Sequence, residues 1–129
     1  MFEHILNAHR SGGQVPGKTP PTPKAASEDF DKCDPYYALA AVLGDALEQA
    51  SKGKGKERHA PNGERFEEQR MLAISRLLNS ERGMAFQVCK KVTEGIDLPT
   101  TERKVAELLG AINYIAGMVI FLREKDGGA

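Results

Sequence analysis

Residues 101–124 read TERKVAELLGAINYIAGMVIFLRE, and this stretch decides the fold. Val105, Leu108, Leu109, Ile112, Ala116, Val119 and Ile120 recur at helical spacing and form one broad apolar stripe. Beside it, Ala106, Gly110, Asn113 and Gly117 line up as a seam of small side chains. Such a seam admits another backbone at close range, although each helical glycine costs about 1 kcal/mol against alanine. From Ala111 to Leu122 the helix is apolar nearly all round, interrupted by Asn113, Tyr114 and Gly117. A membrane span takes about 20 apolar residues and this run is shorter. The expectation is therefore a helix covered by its own bundle and by a second subunit of a homo-oligomer, with no membrane contact.

Three more helices precede it. Asp34-Pro35 reads as an N-cap followed by proline at the first helical position. Tyr36, Leu39, Ala40, Leu43, Leu47 and Ala50 then keep helical spacing, until SKGKGK (residues 51–56) stops the helix. Pro61-Asn62-Gly63 is a turn. A second helix fits Glu64 to Asn79, with Phe66, Ala73, Ile74, Leu77 and Leu78 as its apolar side. Ser80 is positioned to cap a third helix to about Glu94, with Met84, Ala85, Val88, Cys89 and Val92 inward. Gly95 and Pro99 separate it from the last helix, which Thr100 or Thr101 caps. No length of sequence alternates with strand period. The fold class is all-α: a compact bundle of four core helices over residues 34–125. Ahead of it, residues 1–10 (MFEHILNAHR) read as an amphipathic helical hook, and residues 11–33 as a Pro/Gly-rich linker.

The composition excludes several functions. In 129 residues, 18 basic side chains balance 18 acidic ones, which counts against a protein that coats nucleic acid. Cys33 and Cys89 form neither a disulfide framework nor a metal set, and His4, His9 and His59 have no metal spacing. Cys89 reads as a small core hydrophobe. Neither a metal, a cofactor nor a nucleophile is expected.

The balance is uneven along the chain. Residues 51–63, SKGKGKERHAPNG, hold Lys52, Lys54, Lys56, Arg58 and His59 against Glu57 alone. Read as an open loop, this segment offers Lys54, Lys56, Arg58 and His59 to a phosphate, with Gly53 and Gly55 freeing backbone N–H groups to approach it. Arginine's planar fork suits phosphate or carboxylate. Asn113 and Tyr114 join as secondary contacts if the last helix lines the same pocket, and Arg76 and Arg82 are further candidates. The blander reading is a solvated interhelical loop, as Lys90-Lys91 with Glu94 reads as a solvated helix face. Glu64, Glu67 and Glu107 supply only half of the carboxylate pairs of a MazG-type, magnesium-dependent pyrophosphohydrolase, because Gly110 stands where its last aspartate would be.

Four segments in order, Gly53-Lys54-Gly55-Lys56-Glu57-Arg58-His59-Ala60, Phe66-Glu67-Glu68-Gln69, Lys90-Lys91-Val92-Thr93-Glu94 and Glu107-Leu108-Leu109-Gly110-Ala111-Ile112-Asn113-Tyr114, carry a resemblance. The set resembles small helical proteins encoded in tailed-bacteriophage and prophage genomes, over roughly Leu39 to Leu122. The resemblance names no activity. It implies a bacterial cytoplasmic setting and an accessory product of a kind that counters host defence. Such products sequester a nucleotide signal or bind a host protein.

Overall fold

The computed structural model describes residues 30–127, with the side chains of Lys54 and Gly55 left aside; the hook and nearly all of the linker lie outside the described residues. Among the described residues every regular element is helical: α1 (Tyr37–Lys52), α2 (Lys54–His59), a 3-10 turn (Phe66–Glu68), α3 (Arg70–Leu78), α4 (Arg82–Gly95) and α5 (Thr101–Lys125). The chain divides into two compact units, the first ending at Glu48 and the second beginning at Gln49.

In the first unit, Asp34 Oδ1 accepts the Tyr36 amide at 2.8 Å in a turn ahead of the helix; the regular helix begins only at Tyr37, so Asp34 is not its N-cap and Pro35 not its first residue. Its buried positions are Ala40, Gly44 and Ala46, while Leu39, Val42 and Leu47 are exposed. The large apolar residues of the expected core face therefore point mostly to solvent.

The second unit has α5 as its spine. Thr100 caps it, its hydroxyl accepting the Arg103 amide at 3.3 Å. α4 makes the most extensive contact with α5, and α3 packs on both. The centre of this packing is Leu72, Met84 and Phe121, with Phe66, Met71, Tyr114, Met118 and Ile120 around it.

Four expectations are corrected here. The SKGKGK segment is not an open loop, because α1 runs to Lys52 and α2 follows after Gly53 alone. The amides of Gly53, Lys56, Glu57 and Ala60 gain carbonyl partners in this arrangement, which offsets the glycines' low propensity. The second helix begins at Arg70 rather than Glu64, after the 3-10 turn, and ends where Asn79 takes a left-handed conformation (φ 50°). Its inward face is Leu72 and Ser75, whereas Ile74, Leu77 and Leu78 are exposed. Ser75 tolerates burial because its hydroxyl donates to the Met71 carbonyl at 3.0 Å. Cys89 is exposed rather than in the core, and so is Val92.

The small-residue seam is occupied within the chain. Gly110 and Gly117 are buried against α4, where a Cβ on Gly117 would lie 2.8 Å from Met84 Sδ and one on Gly110 3.1 Å from Lys91 Cε. Ala106 is exposed and Asn113 half-buried. The two glycines differ in what they face. Gly110→Ala meets the swinging end of a lysine and gains up to about 1 kcal/mol of helix propensity. Gly117→Ala meets Met84, itself buried, and the overpacking costs about 1–3 kcal/mol, more than the propensity returns. Urea denaturation of the two variants is expected to give opposite signs, Gly110→Ala neutral or stabilising and Gly117→Ala destabilising. Equal effects would show that the approach of α4 does not depend on Gly117.

α5 is also longer than its apolar core suggests. It runs 25 residues and contains an 18-residue window of mean hydropathy 1.9, of which 22% is buried. By length and composition alone it is able to cross a membrane, so length does not exclude a span.

Candidate functional site

A cavity of about 600 Å³ opens in the second unit. The end of α1 contributes Gln49 and Ala50, and Gln49 Nε2 donates to the Ala106 carbonyl at 3.2 Å, tying the helix end to α5. α2 contributes Arg58 and His59. Phe66, Gln69 and Met71 come from the 3-10 turn and the start of α3. α4 adds Lys91 and Glu94, and α5 adds Arg103, Glu107, Gly110, Asn113 and Tyr114.

The expected ligand-binding residues thus separate into two groups. Arg58 and His59 line the cavity, and Asn113 and Tyr114 line it with them. Lys56 and Gly53 do not border it. The Gly53 amide is already donated to the Gln49 carbonyl at 3.3 Å, and the Gly53 carbonyl accepts from Lys56 at 3.0 Å and Glu57 at 3.3 Å. The helical turn therefore uses the Gly53 N–H that an open loop would offer to an anion. Lys54 and Gly55 belong to the same turn, and nothing beyond their helical backbone is described.

Arg76 and Arg82 do not line the cavity either. Arg76 bridges elements at the surface of the unit instead. Its Nε and Nη2 donate to the two Glu124 oxygens at 3.0 and 2.8 Å, and Nη2 also donates to the Glu67 carbonyl at 2.6 Å. This fork fastens α3 and the 3-10 turn to the end of α5, and its hydrogen bond to Glu124 lowers that carboxyl's pKa.

Lys91, Arg103 and Gln69 are lining residues that sequence patterns do not single out. Lys91 is no solvated lysine: it is half-buried and pairs with Glu107 at 3.1 Å across α4 and α5. A signal for it existed in Gly110, whose missing side chain leaves room for the lysine stem. Arg103 had no such signal, since a charged residue in a first helical turn reads as solvated.

Electrostatically the wall is positive. Arg58, Lys91 and Arg103 face Glu94 and Glu107, and Lys91 occupies Glu107, which leaves Arg58 and Arg103 without an ion-pair partner among the described residues. His59 registers this. Burial lowers its pKa first, and the nearby Arg58 and Lys91 charges lower it further. Its ring meets Tyr114 edge to face, with centroids 6.4 Å apart and planes at 80°. Burial raises the Tyr114 phenol above its ordinary value, so it stays a neutral donor at physiological pH. The cavity therefore pairs cationic forks with aromatic and amide surfaces.

The carboxylates do not converge on a metal. Glu64 accepts from the Asn62 amide at 3.0 Å and side chain at 3.1 Å, Glu67 pairs with Arg65 at 2.7 Å, and Glu107 pairs with Lys91. Among the described residues no group of three or more His, Cys, Asp or Glu is placed to hold an ion.

The lowered pKa of His59 gives a pH dependence of definite sign. An unfolded chain takes up the histidine proton near 6.5 and the folded chain only at lower pH, so the folded state loses stability as pH falls from 6.5 through the folded value. An anion bound beside the ring has the opposite linkage, drawing in a proton and binding more tightly across the same range. Denaturation at pH 7.5 and 5.5 is expected to show a larger acid loss for the wild type than for His59→Gln. Identical losses would mean that the ring titrates normally.

No protein-family model, curated protein or solved structure matches the chain, so the reading of the site rests on its own geometry.

Proposed function

We propose that this chain binds a small anionic ligand of nucleotide type in the 600 Å³ cavity, without turning it over. The observation that carries the reading is the convergence of unpaired Arg58 and Arg103 with His59 and Tyr114 on one concave wall. Two guanidinium forks suit phosphate oxygens, while the Tyr114 and His59 rings offer edges and faces to a base. Asn113 supplies an amide able to hydrogen-bond a base edge. The anchoring positions are Arg58 and His59, expected from sequence, together with Arg103 and Lys91, while Lys56 falls outside the site.

In this reading the helices form a compact bundle, and the protein is a phage-type accessory product of the bacterial cytoplasm that sequesters a nucleotide signal. The resemblance to small phage-encoded helical proteins supports that setting. Isothermal titration against cyclic and linear nucleotides, with inorganic phosphate and a neutral nucleoside as controls, tests it. At least one nucleotide is expected to bind with an affinity that weakens as salt rises. No heat from any member of the panel would overturn the proposal.

One observation favours a second reading, a protein that inhibits a host factor through a helical face or the N-terminal arm. Leu77 and Leu78 at the end of α3 are 84% and 63% exposed. Under that reading Leu77→Ala or deletion of residues 1–30 abolishes activity while Arg58→Ala does not. The pyrophosphohydrolase reading ranks below both because its carboxylates are already partnered and scattered.

A further inference from the structure

α5 carries a second pattern, on a face that neither α4 nor the cavity uses. Val105, Leu108, Ile112, Ile115, Val119 and Leu122 follow alternating steps of three and four residues, the a and d positions of three consecutive heptads. The a positions are β-branched throughout (Val105, Ile112, Val119), and the d positions are Leu108, Ile115 and Leu122. Five of the six are 41–47% exposed, which is high for large aliphatic side chains in a run of this length. The face that packs inside the unit is centred on Gly110, Gly117 and Phe121, roughly 170° away around the helix axis at 100° per residue.

We propose that this a/d face is a self-association surface, on which a second copy of the chain lays its own α5 in parallel as a two-stranded coiled coil. β-branched residues at a with leucine or isoleucine at d fit a parallel pair of strands. In that arrangement the flanking positions oppose Lys104 to Leu109 and Met118 to Arg123 of the second copy, with Ala111, already buried in its own chain, at the level of Ala116, so no two like charges meet. The antiparallel alternative sets Lys104 against Lys125 of the second copy. The a and d side chains expose roughly 400 Å² per copy, about half of the ~800 Å² per partner that a stable interface buries, and the flanking Leu109 and Ala116 with the Lys104 and Arg123 stems extend it.

A lipid bilayer is the competing occupant, given the length and hydropathy of α5. α4 argues against it. Lys90, Lys91 and Glu94 are carried alongside α5 by the α4–α5 contact, and a span would draw these charges into hydrocarbon. One apolar face on a helix whose opposite face is packed suits a protein partner.

Light scattering on the full chain is expected to give twice 14.1 kDa for the wild type. Ile115→Glu and, independently, Leu108→Glu should each return the 14.1 kDa monomer with an unchanged helical circular dichroism spectrum, while Leu77→Glu on α3 leaves the dimer intact. In a Cys33→Ser/Cys89→Ser background, Leu122→Cys should cross-link to itself on oxidation, as a parallel pair requires. A monomeric wild type, a dimer that survives both α5 substitutions, or no Leu122→Cys cross-link would overturn the proposal. So would co-flotation of the wild type with phosphatidylcholine vesicles that Ile115→Glu abolishes, since a bilayer would then be the occupant. Nucleotide titration of the Ile115→Glu monomer separates this result from the cavity reading.

Discussion

Leu72→Ala is expected to lower the free energy of unfolding by about 3 kcal/mol, the middle of the range for a fully buried leucine. Leu72 is completely inaccessible to solvent and belongs to a buried cluster that otherwise contains only Met84 and Phe121. Phe66, Met71, Tyr114, Met118 and Ile120 pack around that cluster, and how far they collapse into the space sets where in the range the loss falls. A loss of this size is a large share of the roughly 5–15 kcal/mol that stabilises an ordinary domain. It should lower the melting temperature by about 10–20 °C. Leu77→Ala on the same helix is the control: Leu77 is 84% exposed, and its truncation should stay within about 0.5 kcal/mol. Chemical denaturation of both variants decides the matter. Equal losses would mean that α3 presents to the interior the face that its apolar residues suggest from sequence.

That pair of leucines marks where the sequence was legible. The helical class, the Thr100 cap and the course of α5 followed from local signals: periodicity, a capping hydroxyl, and proline and glycine between segments. These are properties of neighbouring residues and need no tertiary information. The inward face of α3 was not legible, because apolar residues lie on both of its sides and the buried one includes Ser75. The hydroxyl bond to Met71 that makes this burial cheap is invisible to a hydropathy pattern. SKGKGK misled for a related reason, since glycine propensity describes an isolated helix and α2 is continued from α1 by backbone bonds through Gly53. Half of the site was readable. Arg58 stands out as a cation and His59 as an imidazole beside a turn, and Tyr114 as an aromatic on an apolar helix. Lys91 and Arg103 do not, because only the packing of α4 on α5 brings them to the same wall.

The division between Lys56 and Arg58 supplies the sharpest test of ligand binding. Both are cations of one short segment, so a mobile basic loop would use them alike. In the folded chain Arg58 lines the cavity and Lys56 does not. Arg58→Ala and Arg103→Ala are each expected to weaken binding of the tightest nucleotide by about 10- to 100-fold, the range for removing a hydrogen bond to a charged group, about 1.5–3 kcal/mol. Lys56→Ala removes a solvent-exposed charge that does not border the cavity and should change affinity by about two-fold or less. The double variant Arg58→Ala/Arg103→Ala adds a measure of geometry. If both forks hold the same phosphate group, the two losses will not add, because one departure already loosens the ligand for the other. If they hold separate phosphates, the losses will sum. Neither arginine has an ion-pair partner among the described residues to leave behind, so the variants should keep wild-type stability and the change will report on the ligand. Equal effects of Lys56→Ala and Arg58→Ala would instead mean that the segment attracts anions by net charge alone, and the cavity would lose its claim to be the site.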